Sequence, residues 1–268
     1  MSGFDYFVAR ELGVSHPVEK VLLISVRCSG GLAAPRTSAN LALGHTAEGS
    51  PAKVLCLALE ISTMLVRSEL DRMSENQETR IAVCLFSGCA SAVVQVSVAI
   101  GERCEAAYDL LGWSHKIIPE TEDDIRFDVD PLGGAQIKIG LYKGYKLISK
   151  PYKLEMFKDL LASLQLSSEY SYPSDFDWTM HPGGATILPG AGKAFGISSQ
   201  HMRATYDSYF NHSNSSSATI FSDMDCLWSE EMDSMALEGG VRNYVVGPGF
   251  GSGITVEMCM LKRNHHLG

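Results

Sequence analysis

Three side chains in this 268-residue sequence could take part in one piece of chemistry: a thiol, an imidazole and a carboxamide. Cys28 lies in R-C-S-G-G-L-A-A, at the junction of an apolar run and a run of small residues. A cysteine between a strand end and a helix start faces unpaired N–H groups and the positive end of the helix dipole, and both favour the thiolate. Gly30 and Gly31 allow a tight turn and close approach to backbone N–H groups that can hold an oxyanion. The competing reading is a buried cysteine in an apolar turn. His181 closes the apolar stretch F-D-W-T-M-H and is followed by P-G-G, which fixes the ring and leaves space before it. Such a histidine can pair with a thiolate and polarise a thioester carbonyl, or be a core histidine bonded to a backbone carbonyl. Asn214, in N-H-S-N-S-S-S-A-T-I-F, carries an amide able to donate to an enolate oxygen without changing its own charge. It competes with a plain polar turn and with the N-x-S glycosylation pattern that begins at both Asn211 and Asn214.

The elements that must position these groups read as an α/β pattern. K-V-L-L-I-S-V (20–26) is expected to be a buried strand, with a glycine turn and a helix over Leu32–Leu43 following it. Val54–Leu59, Ile81–Phe86 and Ala90–Ile100 read as strands. The acidic stretch from Glu102 to Asp130 reads as a loop-like hinge, with a boundary near residue 115. Further expectations are a helix around Phe157–Leu164, a strand ending at His181, a helix through Ala204 and a strand over Ala218–Phe221. G-F-G-S-G, with Gly249, Gly251 and Gly253, reads as a tight turn between two strands; it completes no phosphate-loop motif. The lysine- and tyrosine-rich segment 134–150 has no assignment.

Composition narrows the classes. A net charge of -9 disfavours nucleic acid as a partner, which would require a clustered basic surface. No apolar run reaches the roughly 20 residues of a membrane span, and the N-terminus has no leader pattern, so the expected location is the cytoplasm. The 7 cysteines are dispersed and odd in number, as free thiols are, and no zinc-ligand spacing is present.

Taken in order, R-C-S-G-G-L-A-A, A-L-E-I-S-T, V-C-L-F-S-G-C-A-S-A-V-V, W-T-M-H-P-G-G-A-T-I-L, N-S-S-S-A-T-I-F and G-F-G-S-G-I-T-V-E resemble the type III polyketide synthases, the chalcone synthase-like enzymes, and their fungal members in particular. The resemblance spans nearly the whole chain, with 134–150 as its gap. It implies an α/β, layered α-β-α-β-α thiolase-like fold whose first half is incomplete. Residues 1–115 would be the remainder of the half carrying the nucleophile, and 116–268 the half carrying His and Asn. It implies a triad of Cys28, His181 and Asn214, with Phe86, Ser62, Gly249, Phe250 and Gly251 as substrate-binding positions. The implied substrates are acyl-CoA and malonyl-CoA, with no cofactor and a homodimeric assembly. The implied reaction is decarboxylative Claisen condensation through a cysteine thioester, with a fatty acyl starter, giving pyrones or resorcinols. Departures from the family pattern are Arg27 for the usual Gly, Pro35 expected to interrupt its helix, Gly88 for an acid, Ala82 for Gly, and Ser252 for Pro. An inactive or truncated paralogue serving as a dimer partner, another thiolase-superfamily condensing enzyme, and a papain-like peptidase are the alternatives; the last lacks its C-G-S-C-W context.

Overall fold

The computed structural model describes residues 3–14, 18–24, 26–77, 79, 81–97, 105–129, 135–139, 152–236 and 240–264. Its centre is a four-stranded sheet in the order β3 (Tyr108–Ile117), β8 (Thr255–Arg263), β7 (Tyr244–Gly251) and β6 (Asp177–Trp178). β6 runs parallel to β7, and the other pairs are antiparallel. Side chains alternate between its two faces, as the strand period of two requires. Val246, Val256, Met258 and Met260 join a cluster with Phe157, Trp178, Leu188 and Phe195. Val245, Cys259 and Leu261 join the opposite one, with Leu32, Ile220 and Leu227. Helices therefore cover both faces: α5 (Tyr152–Ser163) and α6 (Ile187–Phe195) on one, α2 (Gly30–Ala47) and α8 (Thr219–Trp228) on the other.

Beyond α2 and α8 lies an antiparallel pair, β1 (Lys53–Glu60) and β2 (Cys89–Val96), which contributes Cys56 and Ala58 to the inner cluster. Its other face is open, with Leu55, Leu59 and Val94 exposed. The remaining elements are α1 (Phe4–Glu11), α3 (Thr63–Asn76), α4 (Ile81–Leu85), α7 (Arg203–His212), α9 (Glu230–Ser234) and the antiparallel pair β4 (Ile125–Val129) and β5 (Ala135–Ile139). Apart from β5, the unassigned segment 134–150 lies outside the described residues. No helix among the described residues is long and apolar enough to cross a membrane.

Several sequence expectations are corrected. Residues 20–24 form no strand, and Val21, Leu22, Leu23 and Ile24 are exposed; an apolar run becomes a strand only when a neighbouring ladder takes up its N–H and C=O groups. Ile81–Leu85 is helical, burying Ala82 and Leu85 at i, i+3 spacing. The supposed hinge holds β3 and β4, and residue 115 falls within β3, opposite Glu257. Residues 216–218 form a 3-10 turn that feeds α8, so Ala218–Phe221 is not a strand; Ala218, Thr219, Ile220 and Phe221 are all buried, without the alternation of a half-buried strand. The helix expected through Ala204 is split into α6, a 3-10 turn at Ser199–Met202 and α7. The ladder of β6 stops at Trp178, although the N–H groups of Thr179 and His181 still donate to Val246 and Pro248. α2 continues through Pro35. Proline has no N–H, so one helical hydrogen bond is missing at that position.

Candidate active site

Cys28 is the middle residue of a 3-10 turn, Arg27–Ser29, that runs directly into α2. The turn is pinned from below: the Ser29 hydroxyl donates to Val26 O at 2.8 Å, and Ser29 is fully buried. β7 passes close beneath. A Cβ on Gly251 would collide with the Ser29 hydroxyl and stand 2.7 Å from Val26 O, and one on Gly249 would come within 3.2 Å of Leu32. These glycines lie inside β7, not in a turn. They are small because the Cys28 turn rests on them. Phe250, between them, projects to the opposite face and is a core side chain among the α5 and α6 contacts.

Asn214 sits where the chain leaves α7, 1% exposed. Its backbone forms a parallel bridge around Phe86: Asn214 N–H donates to Leu85 O and Ser87 N–H donates to Asn214 O, each at 3.0 Å. Its Nδ2 donates to Gly183 O at 2.7 Å, tying the amide to the P-G-G turn after His181. Its Oδ1 accepts from Ser216 N–H at 2.7 Å. His181 is 3% exposed, its N–H is held by Pro248 O at 3.1 Å, and its Nδ1 is buried without a hydrogen-bond partner among the described residues. Ser62, at the start of α3, donates to Ser87 O at 2.5 Å, next to Phe86.

Ser216 joins these parts. Its hydroxyl donates to Cys28 Sγ at 3.3 Å, its N–H holds the Asn214 amide, and its backbone adjoins the His181 imidazole. The next residue, Ser217, donates to Glu60 at the end of β1 through both its N–H (3.1 Å) and its hydroxyl (2.5 Å). Cys28, His181 and Asn214, which lie far apart in the sequence, thus meet around one turn. Sequence reasoning passed over Ser216, Ser217 and Glu60. The run N-S-S-S and the acid closing A-L-E were visible, but nothing local says that they face a cysteine.

The electrostatics differ from the sequence expectation. Burial pushes the Cys28 thiol up to about 11; the Ser216 hydrogen bond and Arg27 pull it down, and Glu60 pushes it further up. Burial pushes His181 down to about 4. Both shifts run toward the uncharged forms, thiol and neutral imidazole, because desolvation is the largest cause at each group. Neutral imidazole is the form that can accept the thiol proton. Arg27, where the family pattern has glycine, adopts φ 61°, the left-handed region that glycine enters without strain.

A separate polar cleft of about 580 Å³ opens behind Asn214, lined by Ser87, Asp207, His212, Ser215 and Asp225 among others. Neither Cys28 nor His181 reaches it, so its size does not make it the reactive centre.

A profile of the C-terminal domain of chalcone and stilbene synthases matches residues 110–264. The acylalkylpyrone synthase csyB of Aspergillus oryzae is 33% identical over 267 residues, covering 97% of this chain and 65% of that protein. The type III polyketide synthase pspB of Penicillium soppii is 34% identical over 278 residues, covering 97% and 67% respectively. The X-ray structure of a type III pentaketide synthase from Neurospora crassa superposes with a TM-score of 0.92 at 55% identity, over 98% of this chain and 69% of that one. The chain therefore spans about two thirds of the length of these relatives. The profile covers more than half of the sequence and the fold is matched over nearly all of it, so the chain belongs to the chalcone and stilbene synthase family, among its fungal type III polyketide synthases.

Proposed function

We propose that this chain is an acyltransferase that condenses an acyl-CoA starter, of the fatty acyl type, with malonyl-CoA through a thioester on Cys28. The observation that carries this reading is the convergence of Cys28, His181 and Asn214 on Ser216. In the first step the Cys28 thiol passes its proton to the neutral His181 ring, and its sulfur bonds to the acyl carbonyl carbon. The carbon–sulfur bond to coenzyme A breaks, and the departing thiolate takes the proton back. In the second, malonyl-CoA loses carbon dioxide, and the electron pair of the broken bond forms an enolate. The second N–H of the Asn214 amide is suited to face that oxygen, with the His181 ring beside it. The enolate carbon then attacks the Cys28 thioester and the sulfur leaves. Repetition lengthens the chain before cyclisation to a pyrone or resorcinol. Phe86, bridged to Asn214, and Ser62, bonded to the same loop, are proposed to border the acyl chain, as are the backbones of Gly249 and Gly251 under the nucleophile turn. Phe250 would act by packing. We also propose cytoplasmic action as a homodimer, with the two halves meeting near β3.

The test is release of labelled carbon dioxide from carboxyl-labelled malonyl-CoA, with mass analysis of the extracted products. Release above background and a product carrying several two-carbon extensions are expected. A folded sample that releases nothing would overturn the proposal.

One observation favours a second reading, a non-catalytic partner in a larger assembly: Val21, Leu22, Leu23, Ile24, Leu55 and Val94 are exposed on a chain that spans 65% of csyB. That reading requires this chain to be inert alone and to co-purify with a full-length synthase.

A further inference from the structure

The turn after Asn214 does more than link two triad positions. Ser216 holds a left-handed backbone, φ 51°, a conformation that a side chain other than glycine adopts only when its surroundings over-determine it. Those surroundings are on both sides: Asn214 Oδ1 accepts the Ser216 N–H, and Glu60 grips Ser217 by two hydrogen bonds. The consequence is that the Ser216 hydroxyl is aimed at the Cys28 sulfur. Gly31 makes room for the turn, since a Cβ there would overlap Ser217 O and stand 2.5 Å from Ile220.

We propose that Ser216 is a catalytic hydrogen-bond donor, whose hydroxyl stabilises the Cys28 sulfur as an anion while its backbone N–H fixes the rotamer of the Asn214 amide. The proposal rests on the reading of Cys28 as the nucleophile. It adds a fourth group to the three that the sequence offered, and it gives the partly buried thiol the stabilising contact that burial would otherwise deny it. A sulfur leaving group is helped in the same way, because each condensation returns the electron pair to Cys28.

The charged neighbours are accounted for. Arg27, on the same turn, favours the anion, and Glu60, from β1, opposes it. His181 is neutral at pH 7. Glu257 of β8 is occupied by Arg36 at 2.8 and 3.0 Å and by His115 at 2.7 Å. Ser216 is the side-chain donor to the sulfur among the described residues.

The test follows alkylation of the purified full chain by iodoacetamide as a function of pH, read peptide by peptide by mass spectrometry. Cys84 is exposed and serves as the internal reference. Ser216→Ala should move the midpoint of the Cys28 profile upward and slow its alkylation about threefold to tenfold at pH 8, with Cys84 unchanged. Ser216→Gly removes the same hydroxyl while relaxing the left-handed backbone, so it guards against a folding defect and should give the same shift. A change in access alone would scale the Cys28 rate equally at every pH, leave the midpoint in place and overturn the proposal, as would two variants indistinguishable from the parent. Wild-type protein with a titrating Cys28 but no carbon dioxide release would sink the condensing activity and leave the role of Ser216 standing.

Discussion

The four-stranded sheet and the segment before Cys28 are both rich in apolar residues, yet they meet opposite fates. Val245, Val246, Val256, Met258 and Met260 are buried because helices cover both faces of their sheet. Val21, Leu22, Leu23 and Ile24 are exposed because no ladder takes them up among the described residues. Apolarity alone does not make a core; a partner layer on each side does. The candidate site straddles this divide. His181 and Asn214 hang from the covered region, whereas Cys28 sits at the joint, held to the covered region by Ser29, Gly249, Gly251 and Ser216.

The largest effects should come from breaking the covered region. Trp178→Ala removes a fully buried ring packed at a tilt against Phe157 and Phe195, and should cost about 3–5 kcal/mol in urea melts. Arg203→Met leaves the buried Asp177 carboxylate without its two 2.8 Å hydrogen bonds. The expected loss is about 2–3 kcal/mol, moderated by Arg242 at 3.5 Å. Asp223 sharpens the comparison through pH. It is buried, bonded to Thr205 at 2.9 Å, and its folded value rises from 3.8 to about 8, chiefly by desolvation. Its folded form is the acid, so its contribution is full below about pH 4 and is lost as pH rises toward 8. Asp223→Asn should therefore flatten the decline in urea midpoint between pH 5 and pH 8; an unchanged decline would count against a protonated Asp223.

At the joint the effects are smaller and differ in sign. Arg27→Gly relaxes a left-handed backbone and should raise stability by about 1 kcal/mol while slowing Cys28 alkylation, because a cation beside the sulfur is lost. Glu60→Gln keeps an acceptor for Ser217 but removes a negative charge, and should speed Cys28 alkylation about threefold. In the uncovered segment, Ile24→Lys should change stability by less than about 0.5 kcal/mol. A loss like that of Trp178 would mean that this segment is packed after all.

What could be read from the sequence follows from the same contrast. The β7–turn–β8 unit was legible, because two apolar runs around a glycine cluster form an antiparallel pair whose own residues supply the partner. The helix after Cys28 and the strand at 53–60 were also legible from local pattern. Ile81–Phe86 and Ala218–Phe221 were misread because apolar runs this short carry too little period to distinguish helix from strand. β3, an edge strand of its sheet, was hidden by the acidic run P-E-T-E-D-D that follows it, which made the whole stretch resemble a loop. For the site, residue types and glycine context singled out Cys28, His181 and Asn214. Ser216 and Glu60 act through tertiary contacts across 188 and 157 residues respectively, which no local spacing reveals.

The most direct test of the account is the mass of the Cys28 peptide after the folded chain meets a fatty acyl-CoA. The account predicts an acyl adduct on Cys28 in preference to the exposed Cys84, abolished in Cys28→Ala and strongly reduced in His181→Ala. An unmodified Cys28, or an adduct that forms equally on Cys84 and survives loss of His181, would contradict it.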